Sequence, residues 1–563
     1  MPITPHAIEA VVRTALQAAT EHRRAARLAE AEAVCMQVFE VAPGYPDALH
    51  LLGLVASDRS HVSLALSLID RAIEANPLVA AYHAGRGDVL RRCGMPQEAA
   101  ASLRRAIELD ARLAQAHNDL GLALLTMGQA PEAVGCFERA VAADETMTDA
   151  QFNLGRSLRI AGDTERATRH LERAAALDPC HVQTQFELAC VAESSDDPAR
   201  CAAYCNRALE LKPDFAGASL LLGNARLEQG DYPGAAAAYR RAMEIDPRLP
   251  QARYQLALSL LRDNDFAQGW PLFEARYDAA FAGAVRAPLL PMPMWRGEDI
   301  PGGSLLVLTE QSYGDHIQFC RLVAQLAARD VRTFVCASPS LIDLMQSLRG
   351  CTAVVRNLEE AWDAGCDYWT FVGSLPCHLH VNADGIPADT PYLAADPQRV
   401  AAWHSRLEPF RDRFKVGLFW ADRTSHVHDR NRSLTLEQLA PLAQVPGVAF
   451  FGLQQDERAQ EAPPPGMTFT HCGDALHDFS DTAALLTELD LLITVDSAPA
   501  HLAGALRRPV WTLLPFRADW RWQTERTDTP WYPGMRLFRQ PQPRDWRSVI
   551  DQVREALLAL TAS

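Results

Sequence analysis

Small residues recur along the first half of the chain at a fixed step of 34. Gly53, Gly87, Gly121, Gly155, Ala189, Gly223 and Ala257 form one series. Ala65, Ala99, Ala133, Ala167, Cys201 and Ala235 form a second, and Ala72, Ala106, Ala140, Ala174, Ala208 and Ala242 a third. Pro43, Pro77, Pro179, Pro213 and Pro247 keep the same phase, with Ala111 and Glu145 in the proline place of two repeats. This period predicts a helical hairpin repeated along the chain. Two small positions let the helices of one hairpin approach closely, and the third lets the next hairpin stack on top. The proline follows the second helix and stops it, since it lacks an amide donor and clashes with the preceding turn. Each hairpin leaves an apolar face for its neighbour, so the array predicts a solenoid with a concave groove.

After Tyr277 the period is lost, and the proline- and glycine-rich segment APLLPMPMWRGEDIPGG marks a boundary. The pattern then changes to short apolar runs alternating with amphipathic stretches. Strands are predicted at SLLVLTE, VRTFVCAS and TAVV, with helices at HIQFCRLVAQLAARD and SLIDLMQSL. Beyond IPADTPYLAADP a second series places strands at KVGLFWA, VAFFGLQ, DLLITVD and PVWTLLP, and helices at LTLEQLAPLAQ, DTAALLTEL and APAHLAGAL. Alternation of this kind predicts doubly wound α/β lobes. The expected fold class is therefore an α-solenoid followed by an α/β GT-B fold with two Rossmann-like lobes. The expected boundaries are 1–277 for the solenoid, 278–300 for a linker, 301–400 for the first lobe and 401–563 for the second. Ligands in such sheets bind beyond the carboxyl ends of the strands. Neither GxGxxG nor GxxxxGK[ST] occurs, which argues against dehydrogenase and NTPase chemistry.

The 34-residue hairpin resembles the tetratricopeptide repeat over about residues 12–277, with six clear repeats between residues 46 and 249 and a degenerate one at each end. The resemblance implies a groove that recognises a protein or extended peptide; a spacer that only sets geometry is the plain alternative. The layout is similar to that of repeat-containing glycosyltransferases, including the O-linked N-acetylglucosamine transferase. That family lines its groove with asparagines, and here those positions read Asp119, Asn153, Glu187, Leu221 and Gln255.

Composition narrows the picture. At 563 residues the chain exceeds a single core. No run reaches the roughly 18 apolar residues of a membrane span, and the first residues lack the apolar core of a secretory signal, so a cytoplasmic protein without membrane insertion is expected. The 13 cysteines include no CxxC pair and are expected as reduced core residues. A formal charge of −16 disfavours nucleic acid as a partner but leaves room for a locally basic pocket.

A more specific resemblance rests on Glu310-Gln311-Ser312-Tyr313-Gly314-Asp315, Gly417 to Trp420, Asp429 to Ser433, Asp478 to Thr482, Thr494 to Leu506 and Asp519 to Trp522, in that order. Together they resemble the repeat-containing relatives of glycosyltransferase family 9, over about residues 295–558, with D-S-x-x-x-H-L-A the most specific block. The resemblance implies a nucleotide-sugar donor and no metal or other cofactor. It implies donor contacts from Gly314, Arg430, Arg432, Ser433, Gln454, Asp496, Ser497 and His501.

Asp496 and Ser497 stand where a strand meets a helix, and the positive helix end there attracts a diphosphate. In the plain alternative Ser497 only caps the helix and His501 is a buried core histidine. Arg430 and Arg432 lie in a polar loop ahead of a helix capped by Thr435 and Gln438, where a guanidinium fork suits a diphosphate and a solvated loop is the alternative. Asp422 replaces the family's usual glycine. His426, His428 and Asp429 are too closely spaced for a metal site. Asp315 is the candidate base for the acceptor hydroxyl, or else part of a helix cap with Gln318; His316 is a lesser candidate. Trp520 and Trp522 suit stacking on a sugar or base, or fastening of the C-terminal helix. Three functions remain open: transfer to a protein such as flagellin or another surface protein, transfer to a glycan or lipid-linked saccharide, and a non-catalytic scaffold.

Overall fold

The computed structural model describes residues 5–281, 284–310, 312–421 and 432–562. Its first part is a run of antiparallel helix pairs, such as Pro46–Asp58 with Val62–Ala75 and Ala114–Thr126 with Ala130–Ala143. The glycine series explains the close approach within each pair. A Cβ on Gly53 would lie 2.6 Å from Ile69 Cγ1, and one on Gly121 would lie 2.5 Å from Phe137 Cε1. The two alanine series are buried throughout. Helix Val62–Ala75 is closed by Asn76, just before Pro77, and helix Ala130–Ala143 by Asp144. The hairpin turns keep the 34-residue step in backbone form: Ser60, Gly94, Gly128, Gly162, Asp196, Gly230 and Asn264 all have positive φ. That conformation costs least in glycine and is next most tolerated by short polar side chains.

The chain divides into two compact units, Met1–Leu221 and Leu222–Ser563. The division falls inside helix Ala216–Glu228 and not at residue 277, and the reason is aromatic packing. Phe266, Trp270 and Phe273 of the last repeat helix share one core with Leu305, Ile317, Phe319, Trp520 and Trp531. The Trp270 indole N–H donates to the Val381 carbonyl at 3.0 Å. The segment expected as a linker also folds in: Trp295 is buried, and Met294 bridges to Trp369.

The second unit holds two all-parallel sheets. The first has the order β3-β2-β1-β4, from β1 (Ser304–Leu308), β2 (Arg332–Cys336), β3 (Cys351–Val355) and β4 (Tyr368–Phe371). The second has the order β10-β9-β8-β5-β6-β7. Its strands are β5 (Phe414–Phe419), β6 (Val448–Gly452), β7 (Phe469–His471), β8 (Leu491–Val495), β9 (Val510–Leu514) and β10 (Met535–Arg539). Central β8 and β9 are buried at every residue, as a sheet covered on both faces requires. The C-terminal helix Trp546–Thr561 packs on a separate core with β5, β6 and β8. LTLEQLAPLAQ forms a 3-10 helix, Leu436–Gln444, because Pro441 removes an α-helical donor; its Thr435–Gln438 capping box is complete. Among the described residues no helix is long and apolar enough to cross a membrane.

Candidate functional site

The C-terminal end of β8 delivers Asp496 and Ser497 to the start of helix Ala498–Ala505. Ser497 occupies the N-cap position without capping through its side chain. Its hydroxyl instead shares a 2.8 Å hydrogen bond with the Thr494 hydroxyl. Burial raises the Asp496 carboxyl to about 6, and the charge of Asp519 adds to the rise. The Trp522 side chain and the Arg432 and Arg521 guanidinium groups pull it back. The structure thus brings Arg432 into the electrostatic reach of Asp496.

His501 is 5% exposed. Its ring stacks on Trp522 with centroids 5.4 Å apart, and Nδ1 meets the Tyr532 hydroxyl at 2.9 Å. Burial and the charges of Arg521 and Arg321 hold its pKa well below the ordinary value, so it is neutral. A Cβ on Gly314 would come within 2.9 Å of His501 Cδ2, which explains the glycine. Gly314 and His501 therefore mark where helix Tyr313–Phe319 of the first lobe meets helix Ala498–Ala505 of the second.

Asp315 lies in the first turn of helix Tyr313–Phe319, but the cap of that helix is Ser312, whose hydroxyl accepts from the Asp315 amide at 3.3 Å. Its carboxylate is therefore not used in capping. It forms an ion pair with Arg521, whose Nε bonds Gln318 and whose Nη1 lies 2.9 Å from Asp519. Burial pushes the Asp315 carboxyl above its usual range, Arg521 opposes, and Glu310 and Asp519 reinforce the rise. The side chain still has 31% of its surface open, enough to meet a ligand. His316 is buried and pushed down to about 3, and its ring nitrogens lack hydrogen-bond partners among the described residues. It does not share the Asp315 cluster.

Glu310, at the end of β1, anchors this turn. It accepts from Arg276 Nε at 3.1 Å, from the Tyr277 hydroxyl at 2.8 Å and from the Gly373 amide at 3.0 Å. The 3-10 turn Glu274–Tyr277, after the last repeat helix, thus reaches the residues beside Asp315 through a buried ion pair. Sequence reasoning quoted Glu310, Asp519 and Arg521 within motifs but gave them no charge role. The signal available was that each is a charged residue just beyond an apolar strand, Glu310 after β1 and Asp519 and Arg521 after β9.

Gln454 is 2% exposed, and its amide is taken up by both backbone groups of Ala421, at 3.3 and 3.0 Å, and by Asp456. It positions the end of the segment after β5, with both amide hydrogens already used. Ser433 precedes Leu434, whose amide bonds the Trp420 carbonyl at 2.8 Å. Arg430 lies outside the described residues, as do Asp422, His426, His428 and Asp429. Trp520 does not fasten the C-terminal helix; it packs edge-on against Trp270 at 5.4 Å and Trp531 at 6.0 Å.

In the repeats, three of the five positions that correspond to an asparagine ladder are engaged internally. Asp119 lies 3.5 Å from Arg91 and accepts from Gln115, Asn153 donates to Asn118 at 2.9 Å, and Glu187 pairs with Arg159 at 2.6 Å.

A family model described as Glycosyltransferase family 9 (heptosyltransferase) matches residues 437–524, which contain Asp496, Ser497, His501, Asp519 and Arg521. A TPR repeat model matches residues 87–128 and 223–264, and a tetratricopeptide repeat model residues 118–180. Protein FlbA of Caulobacter vibrioides (strain ATCC 19089 / CIP 103742 / CB 15) is 28% identical over 346 residues, 55% of each chain. The chain therefore spans about half the length of that curated relative. Among solved structures, pilF of Pseudomonas aeruginosa is 17% identical over 38% of this chain and 96% of its own, with a TM-score of 0.35. YrrB, described as a TPR protein with an unusual peptide-binding site, is 21% identical over 33% and 95%, with a TM-score of 0.29. The chain carries tetratricopeptide repeats and a C-terminal glycosyltransferase family 9 domain.

Proposed function

We propose that the second unit moves a sugar from a nucleotide-sugar donor to a hydroxyl of a protein acceptor recruited by the repeats. The observation that carries this reading is the convergence of Asp315, Arg521, Asp519 and Asp496 at the C-terminal end of β8, next to the start of helix Ala498–Ala505. The donor diphosphate lies at that helix start, with Arg432 and the Ser497 hydroxyl as its side-chain donors. Asp496, whose pKa is raised, accepts from a donor hydroxyl. The acceptor oxygen forms a bond to the anomeric carbon while the carbon–oxygen bond to the diphosphate breaks. The bonding pair leaves on the diphosphate oxygen, and the acceptor proton passes to Asp315. A carboxyl above its usual range, held in place by Arg521, is suited to that transfer. Positive charge comes from protein groups, so the reading includes no metal.

The repeats support recruitment of a polypeptide, and flagellin or another surface protein is the proposed acceptor class. Because Asp119, Asn153 and Glu187 are engaged by neighbouring side chains, contact with the acceptor falls to other groove side chains. The experiment is release of nucleoside diphosphate with mass gain on an acceptor protein, followed in the wild type and in Asp315→Asn, with EDTA present in a parallel arm. Asp315→Asn should lower turnover by about 10²- to 10⁴-fold with donor affinity unchanged, and EDTA should leave turnover intact. Full turnover in Asp315→Asn would remove the base from the account.

A further inference from the structure

Arg262 is the last residue of helix Pro250–Arg262 and is only 7% exposed. Among the described residues it makes no hydrogen bond or ion pair; its guanidinium lies 4.8 Å from the centroid of the Tyr232 ring. Asp263, next in the chain, feels its charge without pairing with it. Its nitrogens are not fully enclosed, so the fork keeps some contact with solvent. Arg539, at the end of β10, reaches the same neighbourhood through Trp522. It donates to the Trp522 carbonyl at 2.9 Å, and it is held below its ordinary pKa by burial and by the charge of Arg262, with Tyr232 opposing. The two sides are pinned together: Gln523 donates to Asn264 at 2.6 Å, two residues beyond Arg262 and one beyond Trp522. Arg517, nearby in the chain after β9, is by contrast paired with Glu228.

Two guanidinium groups that feel one another's charge, with no carboxylate bonded to either, can take a counter-charge from outside the chain. Their forked donors match the paired oxygens of a phosphate or carboxylate, and the Tyr232 hydroxyl can add a third donor.

We propose that Arg262, Arg539 and Tyr232 form an oxyanion site for a phosphate or carboxylate group of a bound ligand. Trp522 separates this site from Asp496: its carbonyl bonds Arg539, and its ring stacks on His501. On the transferase reading the group belongs to the acceptor, which selects an acidic or phosphorylated one. The site itself stands without that reading.

The test is titration of the full-length protein with inorganic phosphate at low ionic strength, by calorimetry, in the wild type and in Arg262→Met, Arg539→Met and Arg262→Lys. Loss of either fork should weaken phosphate by about tenfold or more, as expected when a charged hydrogen-bonding group is removed. Arg262→Lys should bind with intermediate affinity. A second measurement needs no variant: phosphate should protect Arg262 and Arg539 of the wild type from an arginine-directed dicarbonyl reagent, read by peptide mass. Saturating acetate in place of phosphate reports the carboxylate source of the same chemistry. Equal phosphate affinity in wild type and Met variants, or dicarbonyl modification unchanged by phosphate, overturns the proposal. Phosphate binding without sugar transfer leaves the site standing and removes only its acceptor role.

Discussion

Between Asp315 and Asp519 lies one guanidinium, that of Arg521, and Asp496 feels it as well. A fork that serves several carboxylates fixes their positions and keeps them from repelling one another, which a lysine cannot do with the same geometry. A second buried carboxyl, in the repeats, gives a cleaner measurement. Burial raises Asp119 to about 6 from 3.8, against the pull of Gln115 and Arg91. The native state therefore holds a proton that the unfolded chain releases near pH 4. This contribution to stability is complete below pH 4 and is lost as pH rises through about 6. Asp119→Asn should leave the melting temperature unchanged at pH 4 and raise it at pH 7.5, flattening the profile between. A wild-type profile without a fall between pH 4 and pH 6 would contradict this assignment. At this scale the sequence singled out Asp315 and Asp496 but not Arg521, the guanidinium that both of them feel. Ser312 took the cap that Asp315 was in line to occupy, because the helix starts at Tyr313, and so Asp315 was left to Arg521.

Among the elements, the repeats were legible because close packing demands small residues in a fixed phase. The positive-φ turn series was equally periodic but was hidden by Ser60, Asp196 and Asn264 standing where the other hairpins have glycine. In the α/β unit the central strands read plainly as apolar runs. β4, β7 and β10 did not; each is a sheet edge, and β10 alternates buried residues with Arg536 and Arg539. Two glycines in neighbouring helices show how packing overrides propensity. Alanine is better than glycine in a helix by about 1 kcal/mol, and at Gly135 nothing lies within 4 Å of the added methyl. Gly135→Ala should therefore stabilise the first unit by about 0.5–1 kcal/mol. Gly121→Ala drives the methyl to 2.5 Å from the Phe137 ring, and overpacking of about 1–3 kcal/mol outweighs the gain in propensity. Denaturant melts of the two variants should move in opposite directions; two shifts of the same sign would contradict the packing account.

In the molecule as a whole, the aromatic side chains of the last repeat helix end the solenoid and complete the core of the second unit. Arg276 extends that helix's influence to Glu310 and so to the turn carrying Asp315. The boundary at 277 seemed natural in the sequence because the 34-residue period stops there. The physical boundary follows the buried aromatic residues instead, and their partners, Trp520 and Trp531, lie about 250 residues further on, beyond the reach of any local pattern. Under the proposed function, a nucleotide-sugar at the start of helix Ala498–Ala505 ties these scales together. The direct measurement is the thermal shift of the full-length protein against UDP-, GDP-, dTDP-, ADP- and CMP-linked sugars, repeated with Asp496→Ala. A ligand that binds only the native state raises its melting temperature by mass action. The account predicts a rise with one nucleotide class that Asp496→Ala abolishes. No rise with any donor, or a rise untouched by that substitution, would contradict it.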